Sequence, residues 1–322
     1  MLAMALAAAL AAGGEKPKPP EQPTSGYGGS KYTHAKVLCN SYREGHEQFW
    51  ILEPAEPTPK SAPVVVFNHG WMGIKPAAYE GWVNHLVRRG HIVIYPRYQR
   101  GAATLPLTFT RNAIDAVKRA LVELKKEEHV RPDLERFAIV GHSAGGAISA
   151  DMAALASKEG LPAPKALMIT TPGRGMVNAR SRFFPPADYR YIPRDIYALV
   201  MVAEHDLVVG DGSAKDIYRG LSHVDPERRD YITVLTDRHG SPPLPADHPS
   251  PCSPLRPHLI ITGRRINAID YYAYWRLCDA LLDVAFHGAD PKHCLGNTPE
   301  QRFMGRWSDG TPVKELVVTD KP

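Results

Sequence analysis

Gly141-His142-Ser143-Ala144-Gly145-Gly146 is the segment of this chain best equipped for covalent chemistry. A run of strand formers, Phe137-Ala138-Ile139-Val140, leads into it, and a small-residue stretch of helical character, Ala147 to Ser157, follows. The pattern is that of a serine presented on a sharp strand-to-helix corner. The flanking glycines are required because so tight a turn leaves no room for side chains beside the serine. Such a corner lifts the Ser143 hydroxyl clear of the sheet edge, within reach of a base and of a substrate carbonyl.

A serine hydroxyl is a poor nucleophile until a base takes its proton, and a third group must orient that base. When the serine precedes both partners, the acid comes next and the histidine last, each after the C-terminal end of a strand. The strand Ala198–Val202 runs into Ala203-Glu204-His205-Asp206-Leu207-Val208-Val209. Asp206 is the expected acid, with Glu204 and Asp211 as fallbacks. Two histidines compete for the role of base beyond the strand Tyr231–Leu235. His239 is nearer the strand end, although Asp237-Arg238-His239-Gly240 also reads as a tight turn. His248, in Ala246-Asp247-His248-Pro249, lies nearer the closing helix and is preferred, with His239 as the alternative. His258, beside an apolar run, reads as structural.

Acyl transfer also requires donors for a tetrahedral oxyanion. One is the backbone N–H of Ala144, at the start of the helix. The second is expected from Asn68-His69-Gly70-Trp71-Met72-Gly73, after the strand Val64–Phe67, where Gly70 permits close backbone approach and Trp71 N–H is the donor. The Trp71 indole reads either as a flat wall for the acyl group or as core packing. Trp71 and His142 are the expected substrate contacts. No metal is expected: the four cysteines, Cys39, Cys252, Cys278 and Cys294, form no C-x-x-C pair. Pairing of Cys278 with Cys294 and free thiols both remain open.

The elements that must position these residues alternate strand and helix after a β-rich start. That order predicts a mostly parallel sheet with helices on both faces. Strands are expected at 35–38, 48–52, 64–67, 91–95, 137–140, 166–170, 198–202 and, last, 231–235. Helices are expected at 79–89, 112–128 and 268–286. Between two of the strands, Thr171 to Asp195 is a long insertion; Arg174, Arg180, Arg182, Phe183, Phe184 and Tyr189 either line a cleft or form a surface lid. The expected organisation is a signal-like apolar segment at 1–14, a disordered linker at 15–33, one catalytic domain at 34–290 with the 171–195 insertion, and a C-terminal tail at 291–322 packed on or near the domain.

The chain has 322 residues, 43% of them apolar and 23% charged, with a formal charge of +5. These values fit an ordinary globular domain, and the spread of positive charge gives no nucleic-acid patch. Met1 to Ala12 is too short to span a bilayer, and it resembles the apolar core of an export signal without the usual basic start. A secreted or periplasmic location is therefore expected, or a cytoplasmic one if that segment is not a signal.

Together, His-Gly-Trp after a strand, Gly-His-Ser-Ala-Gly-Gly at the corner and Asp-x-x-Val downstream resemble the α/β-hydrolase superfamily. Within it the chain is most similar to the compact serine esterases of the dienelactone hydrolase, chlorophyllase and cutinase-like groups, over roughly Val64 to Phe286. The resemblance implies an α/β-hydrolase fold and hydrolysis of small or polymeric carboxylic esters, cutin-like polyesters included, without a cofactor. It departs from the cutinase-like group in the 171–195 insertion, the proline-rich 242–257 segment and the extended tail. A lipase, amidase or peptidase with the same triad, a cofactor-free perhydrolase, and a binding protein that has lost turnover are the alternatives.

Overall fold

β1 (Lys36–Tyr42) and β2 (Phe49–Ala55) form the antiparallel start of a nine-stranded sheet in the computed structural model, which describes residues 15–176, 183–254 and 265–322. The chain then alternates: β3 (Ser61–Asn68), α1 (Glu80–Arg88), β4 (Ile92–Pro96), α2 (Phe109–Glu123), β5 (Arg131–His142), α3 (Ala144–Glu159), β6 (Ala166–Thr170), β7 (Tyr197–Ala203), α4 (Gly212–Gly220) and β8 (Arg229–Val234). A π-helical stretch, Asp270–Trp275, leads into α5 (Arg276–His287), and the short α6 (Pro299–Arg302) and β9 (Val317–Thr319) complete the order. The strands lie as β1-β2-β4-β3-β5-β6-β7-β8-β9. The six from β4 to β8 are parallel, and β1, β2 and β9 run antiparallel at the two edges. This is the α/β-hydrolase fold.

The parallel strands read as unbroken apolar runs because both faces of the sheet are covered. In β3, Val64 and Val66 enter the core shared with α2, α3 and α4, while Val65 and Phe67 enter the core shared with α1 and α5. Period-two alternation thus splits one run between two cores. All parallel strands end on one edge, so the loops after β3, β5, β7 and β8 converge there. That edge is where ligands meet open α/β sheets.

Two expectations change. Residues 15–33, expected to be a disordered linker, instead lie ordered along the domain. Pro17 and Lys18 accept the amides of Ser241 and Ser308, Tyr27 donates to Asp283, and Gly28 N–H donates to the buried Asp279 carboxylate at 2.8 Å. Composition shows too few apolar residues for a core, but it cannot show anchoring points some 250 positions away. The strand at 231–235 is not the last. β9 pairs with β8, and Trp307, Met304, Val313 and Leu316 of the tail enter the α1/α5 core. A three-residue strand is too short to leave a periodic signal. All four cysteines are free thiols, with Cys39 exposed and the other three buried.

The insertion is pinned by a buried ion pair rather than lined by free arginines. Arg174 is sequestered and donates to both oxygens of Asp151 on α3, at 3.0 and 2.5 Å, and also to the Ala147 carbonyl and the Tyr189 hydroxyl. Phe184 and Tyr189 are buried beside it, whereas Phe183 is partly exposed. Arg180 and Arg182 lie outside the described residues, as do the 1–14 segment and His258. Burial disfavours the Arg174 charge, but Asp151 and Tyr189 outweigh it. Arg174→Met is therefore expected to cost ~3–5 kcal/mol, because it strands a buried carboxylate. Urea unfolding measures this, and a loss under about 1 kcal/mol would mean that the pair is solvated and weak.

Candidate active site

Ser143 sits between β5 and α3 with φ 56° and ψ −126°, a backbone conformation that non-glycine residues rarely adopt. The strain persists because both sides of the corner are tied down. Ser143 N–H donates to the Thr170 carbonyl at the end of β6, and the Ser143 carbonyl accepts the Gly173 and Ala147 amides. Gly145 permits the approach of α3 to β3: a Cβ there would collide with the Asn68 and His69 carbonyls.

Asp206 and His248 come to this serine from the ends of β7 and β8. His248 Nε2 lies 2.9 Å from Ser143 Oγ, and His248 Nδ1 lies 2.7 Å from Asp206 Oδ2. The carboxylate can only accept, so Nδ1 carries the proton of the neutral ring and the Nε2 lone pair faces the hydroxyl. The other Asp206 oxygen accepts the amides of Val208 and Val209 at 2.9 and 3.0 Å. Burial pushes the Asp206 carboxyl up, but the His248 hydrogen bond and charge and the two amides outweigh it, leaving it below the usual carboxylate range. The Asp-x-x-Val spacing also places Val209 against Gly173, behind the serine corner.

The competing assignments fall elsewhere. His239 forms the tight turn its sequence suggests, with its amide on Asp237, and its ring meets Asp309 at 2.7 Å and packs against Trp307 of the tail. Glu204 caps the Thr236 amide, and Asp211 pairs with Lys215 at the start of α4.

The two amides expected as oxyanion donors, those of Ala144 and Trp71, are both without a protein acceptor among the described residues. Ala144 N–H is the first amide of α3 and has no acceptor within the helix. In the loop after β3, Gly70 N–H donates to Tyr79, Met72 N–H to Gln99 and Gly73 N–H to the Gly70 carbonyl. Trp71 N–H has no protein acceptor among the described residues. The Gly70–Trp71 peptide is held from its carbonyl end, because Gly70 C=O also accepts from His69 Nδ1 at 2.6 Å. A Cβ on Gly70 would lie 3.1 Å from Ser143 Cβ, so only glycine lets this loop sit beside the serine. The Trp71 ring is half-buried, edge-on to Phe109 at 5.3 Å and to Phe183 at 5.5 Å.

His142, expected to touch substrate, does not. It is buried, and both ring nitrogens are engaged: Nδ1 with the Tyr79 hydroxyl at 2.7 Å and Nε2 with the His248 carbonyl at 2.9 Å. A residue beside the nucleophile in sequence points inward here because alternate side chains of a strand face opposite ways. Burial first, and then the proximity of His248, lowers its pKa to about 3, so the ring is neutral. Tyr79 was legible only as a helix residue; no local pattern marks it as a neighbour of the site. Away from the site, Glu123, Glu128 and His129 bring one ligand atom each within 4.8 Å of one another. His129 is already paired with Glu53, and Glu123 with Lys126.

A family model for chlorophyllase matches residues 27–210, more than half of the chain. The chain belongs to the chlorophyllase family. The match covers the loop after β3, Ser143 and Asp206, while His248 lies beyond it. Membership of the chlorophyllase family supports a carboxylic ester hydrolase. Among curated proteins, no relative matches this chain. Solved structures similar to it include carboxyl esterase 2 of the mycorrhizal fungus Tuber melanosporum, 19% identical over 67% of this chain and 82% of that one, TM-score 0.48. One of the fungal esterases of Rhizomucor miehei is 16% identical over 63% of this chain and 75% of that one, TM-score 0.45.

Proposed function

We propose that this protein hydrolyses carboxylic esters through an acyl-enzyme intermediate, with Ser143 as nucleophile, His248 as general base and then acid, and Asp206 as the orienting acid. The observation that carries this reading is the unbroken line Asp206–His248–Ser143, with spacings of 2.7 and 2.9 Å, on a strained corner. Ser143 Oγ bonds to the ester carbonyl carbon as its proton passes to His248 Nε2. The tetrahedral oxyanion accepts from Ala144 N–H and Trp71 N–H. The C–O bond to the alcohol then breaks, and the alcohol leaves with the proton from His248. Water repeats the sequence, giving up its proton to His248, and the acid departs as Ser143 recovers its proton.

The substrate is read by side chains that leave the same edge of the sheet. Leu207, next to Asp206, is 82% exposed, and Phe183 extends the aromatic wall begun by Trp71. These surfaces support an apolar acyl or alcohol group and apply equally to small esters and to polyesters such as cutin. No helix among the described residues is long and apolar enough to cross a membrane. The apolar Met1–Ala12 segment supports export.

The test pairs a fluorophosphonate probe with p-nitrophenyl esters from acetate to palmitate, on wild type and Ser143→Ala. Labelling at Ser143 and hydrolysis that both vanish in the variant are the expected result. Labelling without ester turnover would direct the assignment to amide or peptide substrates. A folded wild type that neither labels nor hydrolyses would make it a binding protein.

A further inference from the structure

The buried pair Tyr79–His142 forms a hydrogen-bonded strut joining the oxyanion loop to the backbone of the base. Gly70 N–H donates to the Tyr79 hydroxyl oxygen at 2.8 Å, and the hydroxyl lies 2.7 Å from His142 Nδ1. His142 Nε2 in turn lies 2.9 Å from the His248 carbonyl. Proton positions follow from the end groups. The carbonyl can only accept, so the neutral imidazole must carry its hydrogen on Nε2. Nδ1 then offers a lone pair, which takes the Tyr79 hydrogen, and the Tyr79 oxygen is left free to accept from Gly70. Every link has one consistent direction, from Gly70 N–H through to His248 C=O. No bond has a competing tautomer as long as the ring stays neutral and dry, and both Tyr79 and His142 are buried.

We propose that Tyr79 and His142 are positioning residues that set the oxyanion donor and the base relative to each other. The reading rests on the serine-hydrolase function proposed above. Gly70 is the residue before Trp71, so the strut holds the nitrogen end of Gly70 while His69 and Gly73 hold its carbonyl. Three anchors on one residue fix the direction of the Trp71 N–H. At the far end, the His248 ring is tethered to Asp206, whereas its backbone lies in a loop, Thr236 to Ser250, held by the isolated bridges Asp237–Leu244 and His205–Asp247. The His142 donor is a tether on the backbone of His248 itself, and the two imidazoles pack at a tilt of 43° with ring centroids 4.9 Å apart. Catalytic groups displaced by about 1 Å lose roughly two orders of magnitude in rate, so a strut of this kind acts on turnover rather than on binding.

The experiment measures the rate constant and the final stoichiometry of fluorophosphonate labelling at Ser143, with kcat and KM for p-nitrophenyl butyrate in parallel. The variants are Tyr79→Phe, His142→Leu and His142→Gln. In Tyr79→Phe and His142→Leu, labelling rate and kcat are expected to fall about 10- to 100-fold with KM within about twofold. The stoichiometry is expected to stay near one label per chain. His142→Gln, whose amide still donates to the His248 carbonyl, is expected to recover most of both rates. A merely structural role would lower the labelled fraction and leave the rate constant of the labelled sites at the wild-type value; that result overturns the proposal. Should His142→Leu fail to fold, Tyr79→Phe decides, since it removes one hydroxyl and almost no volume. If wild type labels but hydrolyses no ester, the ester reading fails while the labelling rates still judge the strut. A wild type that does not label at all overturns both.

Discussion

Replacing His248 by Ala is expected to lower kcat on p-nitrophenyl butyrate by about 10⁴-fold or more, whereas His239→Ala leaves it within about twofold. Both histidines follow β8, and both have an acidic partner in the fold. Only one has an acidic partner and a nucleophile at once. His248 bridges Asp206 and Ser143, while His239 bridges Asp309 and the Trp307 ring, on the face of the C-terminal tail. Loss of His248 leaves Ser143 without a proton acceptor, and the surviving rate is that of the oxyanion donors alone. The comparison is made at saturating substrate, with KM recorded, because the imidazole contributes to the transition state and little to ester binding. Loss of activity in His239→Ala, with His248→Ala active, would reverse the assignment and require the loop carrying His248 to leave the site in solution.

Stability is expected to peak near pH 6.5 and to fall steeply on the acid side, at ~3 kcal/mol per pH unit. Three histidines with desolvated rings drive the acid side, His69 and His142 buried and His91 half-buried. Burial lowers the pKa of His69 to about 3, of His91 to about 4 and of His142 to about 3, against an ordinary value of 6.5. Below that value the unfolded chain binds protons that the folded chain refuses. Their stabilisation is therefore complete above pH 6.5 and is lost as pH falls toward their folded pKa values. Asp270 has the opposite sign. Burial raises its pKa to about 8 from 3.8, so in that interval the folded chain holds the extra proton and stability falls as pH rises. Asp230, also raised by burial, acts in the same sense. Below pH 6.5 Asp270 cancels one of the three histidine protons, which leaves the slope above. Between pH 6.5 and about 8 it acts without them, at ~1.4 kcal/mol per unit. Urea unfolding at half-unit intervals from pH 5 to 8 measures both limbs, and Asp270→Asn is expected to flatten the alkaline one. A stability that rises through pH 8, or stays level from pH 6.5 to 5, would contradict the burial of these groups.

How much of this was legible in the sequence differs sharply between elements. The apolar runs of β3 to β8 and the periodic helices between them were readable because burial on both faces writes itself as composition. Ser143, Asp206 and Ala144 were readable for a related reason: each lies within three residues of a strand or helix end that the same pattern locates. The candidate base was narrowed to two histidines, with His248 preferred over His239. Distance along the chain from β8 carries little information once the loop beyond it has more than a few residues. His142 was misplaced as a substrate contact, since adjacency to a nucleophile does not say which face of the strand a side chain takes. Tyr79 was missed altogether, as were the anchoring of residues 15–33 and the edge strand β9, because each depends on partners remote in the chain.

The sequence by itself determined the layered α/β architecture and the strained corner at Ser143, because these follow from local periodicity, backbone sterics and strand ends. Only the tertiary structure decided that His248 rather than His239 meets Ser143. It alone turned Arg174 inward onto Asp151, and tied Gly70, Tyr79, His142 and His248 into one line of hydrogen bonds. Those outcomes rest on distances of about 3 Å between residues up to 106 positions apart. Hydrogen bonds are short and directional, and no pattern along the chain encodes where two distant loops will bring their donors and acceptors into line.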